Sequence, residues 1–158
     1  MLHNESNLHV HIANLEVTSP NFKLNDFIPR KFTCDGENIN PQLNIAKIPD
    51  ESKSICIIMD DPDAPVSTWT HWILWNIVPQ KTIAQNFKNG VSGTNDFGTE
   101  KYSGPCPPYG VHTYYFRIYA LDTLLTLKGF SKRQDLEKYM SGHVLAYGEL
   151  TFKYKKEK

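Results

Sequence analysis

Residues 54–59 read Ser-Ile-Cys-Ile-Ile-Met, an apolar run rich in isoleucine and without alternation. Such a run fits a central strand buried on both faces. Other segments add to the strand content. Residues 70–78 are β-rich, and in an extended chain His71, Ile73, Trp75 and Ile77 share one face. Residues 114–121 combine aromatic and β-favouring side chains. Residues 145–154 read as a late strand with Gly148 as a bulge position, and 15–18 as an early one ahead of Pro20. One helix is expected. Ser131 and Gln134 have capping-box spacing, Leu136, Tyr139 and Met140 follow at helical intervals as core contacts, and Gly142 is the stop. The expectation is a mostly β, mostly antiparallel domain with one or two short helices, its strands buried as two packed sheets.

With 158 residues, one core is enough. Residues 1–14 are read as a flexible or edge segment and 15–158 as a single domain. The 17 Lys+Arg balance 17 Asp+Glu, so a broad cationic face for nucleic acid is not expected. The basic end at 153–158 reads as a solvated tail. The first 14 residues contain His3, His9 and His11 but no basic start followed by an apolar run, and no stretch has the length of a membrane span. Three cysteines, Cys34, Cys56 and Cys106, are odd in number, and no CxxC occurs. Reduced thiols and a cytoplasmic location are therefore expected, without integral membrane association, structural metal or cofactor.

Two remote stretches carry the chemistry. The first is Asp60-Asp61-Pro62-Asp63-Ala64-Pro65, leading to His71. The second runs from Gly104-Pro105-Cys106-Pro107-Pro108-Tyr109-Gly110 to His112 and Tyr114. Each joins a proline-stiffened loop to a strand start, and such a loop gives up little further entropy on binding. Alternation puts His112 and Tyr114 on one face, about 7 Å apart. Asp60 and Asp63 fit turn capping as well as a site. Asp61 suits an imidazole orienter or an acceptor for an ammonium or a protonated phosphate, the X-Pro bonds are candidates for a cis peptide, and Tyr109 is expected to pack on its own loop.

These segments resemble the phosphatidylethanolamine-binding protein (PEBP) family, in its prokaryotic Raf kinase inhibitor-like branch. The match also takes in 32–38 (Phe-Thr-Cys-Asp-Gly-Glu-Asn) with Pro41, His71-Trp72, Asn76-Ile77, 102–108, 119–122 and 143–146, all in one order. One departure is Phe152, where the family pattern has glycine. The resemblance implies a sandwich of two antiparallel sheets with a small pocket for phosphate-like anions at one end. It carries the pocket aspartate onto Asp61, the two histidines onto His71 and His112 and the tyrosine onto Tyr114. Asp63 and Pro65 shape the wall, and Cys106 and Pro107 line the mouth. Gly104, in the same loop, completes the ligand-binding set.

The function so implied is small-anion binding, with phosphate or a phosphorylated head group as ligand. Regulation of a protein partner such as a kinase or protease and a homodimer also follow from the resemblance. In this reading no residue is catalytic. The same residues admit a second chemistry, a hydrolase built on the His/Asp/Cys pocket. It would use either a metal held by His71, His112, Asp61 and Asp63 or a Cys106–His112 nucleophilic pair. Anion affinity is expected to rise as pH falls below about 6.5, where imidazoles gain charge.

Overall fold

The structure is a computed structural model and describes residues 11–156. Its core strand is β4 (Ser54–Asp61), every residue of which is buried. On either side lie β5 (Trp69–Ile77) and β8 (Val111–Leu121), both antiparallel to it. β9 (Val144–Lys155) pairs with β8 along its whole length. β1 (Ala13–Asn14) adds to β9 in parallel, and β7 (Val91–Ser92) closes the other edge. The second sheet is small, with β3 (Leu43–Ala46) between β2 (Glu16–Thr18) and β6 (Thr82–Ile83). Of the segment 1–14, His3 and His9 lie outside the described residues, and Ala13–Asn14 forms the edge strand.

Both faces of the large sheet are covered, which accounts for the unbroken apolar run in β4. Ile55, Ile57 and Met59 point into the layer between the sheets, against Leu43, Ile45, Val17 and Ile83. Cys56 and Ile58 point the other way, under α1 (Arg133–Met140), where Leu136 and Met140 are fully buried. Burying each such side chain contributes roughly 1.5–3 kcal/mol. The helix begins one residue later than its capping signature indicates. Lys132, not Ser131, is the N-cap, and the Asp135 carboxylate accepts its backbone N–H at 3.2 Å. Tyr139 is exposed, because the stripe that meets the sheet is the i, i+4 pair Leu136 and Met140.

Two irregularities in β5 break the expected face. Met59 pairs with Trp72 and Asp60 with Thr70, so His71 is an extra residue. It sits on the inter-sheet side with Trp72 and Leu74, not with Ile73 and Trp75. A second irregularity lies at Asn76, whose φ of 56° is left-handed, and it returns Ile77 to the inter-sheet core. The amide side chain of Asn76 fixes this bend by donating to the Leu125 carbonyl and accepting the Leu125 N–H, both at 2.8 Å. Bulges of this kind re-aim side chains next to sites. Gly148 is not a bulge: it pairs regularly with Ile118, and a Cβ there would meet the Leu15 carbonyl oxygen at 2.5 Å. No described peptide bond is cis, so the X-Pro bonds are trans.

Candidate functional site

At one end of the inter-sheet layer, the C-terminal end of β4 and the starts of β5 and β8 meet two loops. Asp61, His71, His112 and Tyr114 come together there around a cavity of about 160 Å³. Pro65, Cys106 and Pro107 line the same cavity. Ala64, Trp69, Phe97 and Pro108 complete its walls. Remote segments therefore converge through strand pairing, and the bulge at His71 turns that imidazole inward.

Every polar group in the cluster has a defined partner except one. Asp61 Oδ2 accepts from His112 Nδ1 at 2.7 Å, and Asp61 Oδ1 accepts the Asp63 backbone N–H at 2.8 Å. His71 Nδ1 donates to the Ser103 carbonyl oxygen at 2.7 Å. A carbonyl only accepts, so His71 carries its proton on Nδ1 and keeps Nε2 for something else. His112 follows the same logic, because its Nδ1 is committed to a carboxylate. The rings form one packed group. His71 meets Tyr114 edge-on at 5.5 Å, and His112 lies over Tyr114 at 6.3 Å and 29°. Phe152 stacks beneath Tyr114 at 5.4 Å and 13°, so the residue standing in place of glycine becomes the floor behind the site without disturbing β8–β9 register.

Tyr114 is the exception. Its side chain is 0 % exposed, and its hydroxyl makes no hydrogen bond of good geometry, although the Cys106 backbone N–H approaches it. An unsatisfied buried hydroxyl costs about 1–3 kcal/mol, so its persistence here needs a reason. Burial, and then the Asp61 carboxylate, hold the phenol well above its ordinary pKa, so it is a neutral donor. Burial also pulls His71 below its ordinary 6.5. The Ser103 carbonyl and Asp61 oppose that shift without cancelling it.

The remaining sequence candidates have structural places. Asp63 does not line the cavity; its carboxylate accepts the Thr113 N–H at 2.9 Å and fixes the start of β8. Gly104 lies behind the wall, where a Cβ would sit 2.2 Å from the Phe32 carbonyl oxygen, and its N–H donates to Asn38 Oδ1 at 2.7 Å. Tyr109 is exposed rather than packed on its loop. Asp60 points to the opposite face of the sheet, where it binds Arg117 and Arg133. Cys106 is bonded to Cys34, which overturns the expectation of reduced thiols for these two and removes the sulfur from any Cys106–His112 pair. Cys56 stays a buried thiol, pushed up to about 12 by burial.

Phe97 and Ser103 were not evident from sequence. Asn95 places both. Its amide donates to the His71 carbonyl at 3.0 Å and the Lys101 carbonyl at 2.9 Å, and its oxygen accepts the Phe97 N–H at 2.9 Å. The run Asn95-Asp96-Phe97-Gly98 is a turn signal, and a turn clamped to a histidine strand was the available clue.

The family model for phosphatidylethanolamine-binding protein matches residues 18–155. The chain belongs to the PEBP family. A UPF0098 protein of Pyrococcus horikoshii, PH1269, is 50% identical over 155 residues, covering 91% of this chain and 78% of that protein. A UPF0098 protein of Aquifex aeolicus is 39% identical, covering 92% and 91%. Among solved structures, the PEBP homologue CT736 from Chlamydia trachomatis has a TM-score of 0.87 at 36% identity and covers 91% of this chain and 99% of its own. YbcL of E. coli, a member of the mammalian PEBP family, has a TM-score of 0.84 at 28% identity, with 92% and 100% covered. This PEBP-family chain therefore shares its two-sheet fold with structurally determined relatives. Among its described residues no helix is long and apolar enough to cross a membrane.

Proposed function

We propose that this PEBP-family protein binds a small oxyanion, phosphate or a phosphorylated head group, in the cavity bounded by Asp61, His71, His112 and Tyr114. The observation that carries the reading is the unpartnered Tyr114 hydroxyl, buried beside two imidazoles whose Nδ1 atoms are already engaged. A hydroxyl and two protonated Nε2 atoms would give three converging donors, the arrangement an oxyanion requires. Asp61 would serve the ligand indirectly, by holding the His112 ring. The cavity volume admits a group of roughly five waters' size, which suits a head group rather than a chain.

A neutral imidazole with Nδ1 engaged presents a lone pair at Nε2, so a fully ionised oxyanion favours the protonated ring. Sulfate is the informative probe, because its charge is constant across the histidine range. Titration calorimetry from pH 8 to pH 5 should show affinity rising with acidity, with the His71 contribution appearing below 6.5 because its pKa is lowered. Affinity flat across that range would refute the role given to the imidazoles.

The hydrolase alternative has lost its thiol route to the Cys34–Cys106 bond. Among the described residues no three His, Cys, Asp or Glu side chains gather as a metal site. Regulation of a kinase or protease, and a homodimer, rest on family resemblance. The cytoplasmic assignment rests on composition, and a disulfide is more usual in oxidising surroundings or in hyperthermophile cytoplasm.

A further inference from the structure

The wall that carries Pro107 is fastened by a covalent link. Cys106 is joined to Cys34, 72 residues away in sequence, and both residues are only half-buried. The link ties segment 104–110 to the turn that follows Phe32. Its other backbone ties to that turn are few. The Cys34 N–H donates to the Pro105 carbonyl at 3.2 Å, and the Gly104 N–H reaches Asn38. Pro105, Pro107 and Pro108 have no N–H to contribute, and no strand or helix includes 104–110. Gly104, Pro105 and Pro107 are buried, so packing holds the root of the mouth, and the disulfide is its one covalent tie to that turn.

A second observation concerns the reactivity of that bond. Lys156 Nζ lies 3.7 Å from Cys106 Sγ and 3.9 Å from Cys34 Sγ, and also 3.6 Å from the Asp35 carboxylate. An adjacent ammonium stabilises a thiolate, and a stabilised thiolate leaves faster in exchange. We infer that the Cys34–Cys106 bridge is a thiol–disulfide exchange site, and that its redox state sets how tightly the neighbouring cavity holds an anion. The second half of this inference rests on the anion reading.

The co-reactant is a dithiol. One of its thiolates attacks Cys34 Sγ, the S–S bond breaks, and Cys106 leaves as a thiolate beside the Lys156 ammonium. The second thiol of the reductant then attacks its own sulfur in the mixed disulfide and releases Cys34. Two electrons pass to the protein, the two thiol protons end on the cysteines, and the reductant departs as its own disulfide. Segment 104–110 is then free to move, so binding has to order it again, which weakens affinity.

The test uses the full chain, oxidised or treated with dithiothreitol. Thiols are counted by alkylation and mass, fold is followed by circular dichroism, and sulfate affinity is measured at pH 6. Two new alkylated cysteines are expected with the fold retained and sulfate bound about tenfold more weakly, recovering on reoxidation. The double variant Cys34→Ser with Cys106→Ser should bind like the reduced form and ignore dithiothreitol. Lys156→Gln should slow reduction several-fold while leaving sulfate affinity of the oxidised form unchanged. A bridge that resists reduction in the folded protein, equal sulfate affinity in both states, or unfolding on reduction would each overturn the inference. If sulfate binds neither form, the anion reading fails by itself. Hydrogen exchange then decides the loop: faster exchange at the Cys106 and Tyr109 amides on reduction supports the latch, and unchanged exchange overturns it.

Discussion

Asp60 and Asp61 are neighbours on one strand, both buried, and face opposite sides of the same sheet. On the helix side, Asp60 takes Arg117 Nε at 2.9 Å and Nη2 at 3.2 Å, and Arg133 Nη1 at 2.6 Å. Arg133 goes on to Glu137 at 3.0 Å. Burial works against both guanidinium charges, yet Asp60 more than offsets it and holds them above their ordinary pKa. On the loop side, Asp61 also has both oxygens occupied, but by an imidazole and a backbone N–H that border a cavity. There the chain of bonds stops at groups with unused capacity. Burial and charge alone do not separate a structural carboxylate from a site carboxylate. The Asp60 network also borders a cleft, of about 550 Å³, but there the charged groups are paired with one another, whereas the imidazoles beside Asp61 keep their Nε2 atoms unengaged.

Four substitutions or conditions press on this contrast. The largest effect is expected at Asp60→Asn, which leaves Arg117 and Arg133 facing a neutral partner in a buried setting. It should cost about 3–5 kcal/mol in urea unfolding, with sulfate affinity of the folded fraction unchanged. A loss of sulfate binding with stability intact would reverse the roles of the two aspartates. His112→Ala comes next. Removing a donor to a charged ligand should weaken sulfate binding by roughly 1.5–3 kcal/mol at pH 6 by calorimetry, at a smaller cost in stability. A collapse of the fold would make His112 a core residue instead.

Tyr114→Phe sharpens the comparison further, since it keeps the ring stack on Phe152 and deletes only the orphan hydroxyl. Stability should rise by about 1 kcal/mol while sulfate affinity falls by a similar amount, opposite signs that a purely structural tyrosine would not give. The smallest effect is in pH. His71 has a folded pKa below its unfolded value, so the unfolded chain binds the proton first. This contribution to stability is complete above 6.5 and declines as pH falls below it, without ligand. Guanidinium titrations at pH 7.5 and 5.5 should show the decline, and His71→Gln should reduce it.

Much of the architecture was legible. The run in β4 announced a strand covered twice, and the alternation of β8 placed His112 and Tyr114 together, because side-chain period along one strand is a local property. The helix start was displaced by one residue, since Asp135 outcompeted the Ser131 signature for the first free N–H. The face of β5 was misread where local patterning ends. Nothing local reports an extra residue at His71 or a left-handed Asn76, because both depend on register with β4 and on the Leu125 loop.

The sequence by itself determined the long strands of the large sheet, the proline-stiffened mouth and the chemical kinds available to a site, while the short β3, β6 and β7 were not read from it. The features it determined follow from side-chain shape and short-range sterics. Only the tertiary structure decided which imidazole nitrogen is free, that Tyr114 has an unmet hydroxyl and that Cys34 reaches Cys106. Each of these joins residues tens of positions apart, and the distance between such residues is set by how the sheet pairs and twists.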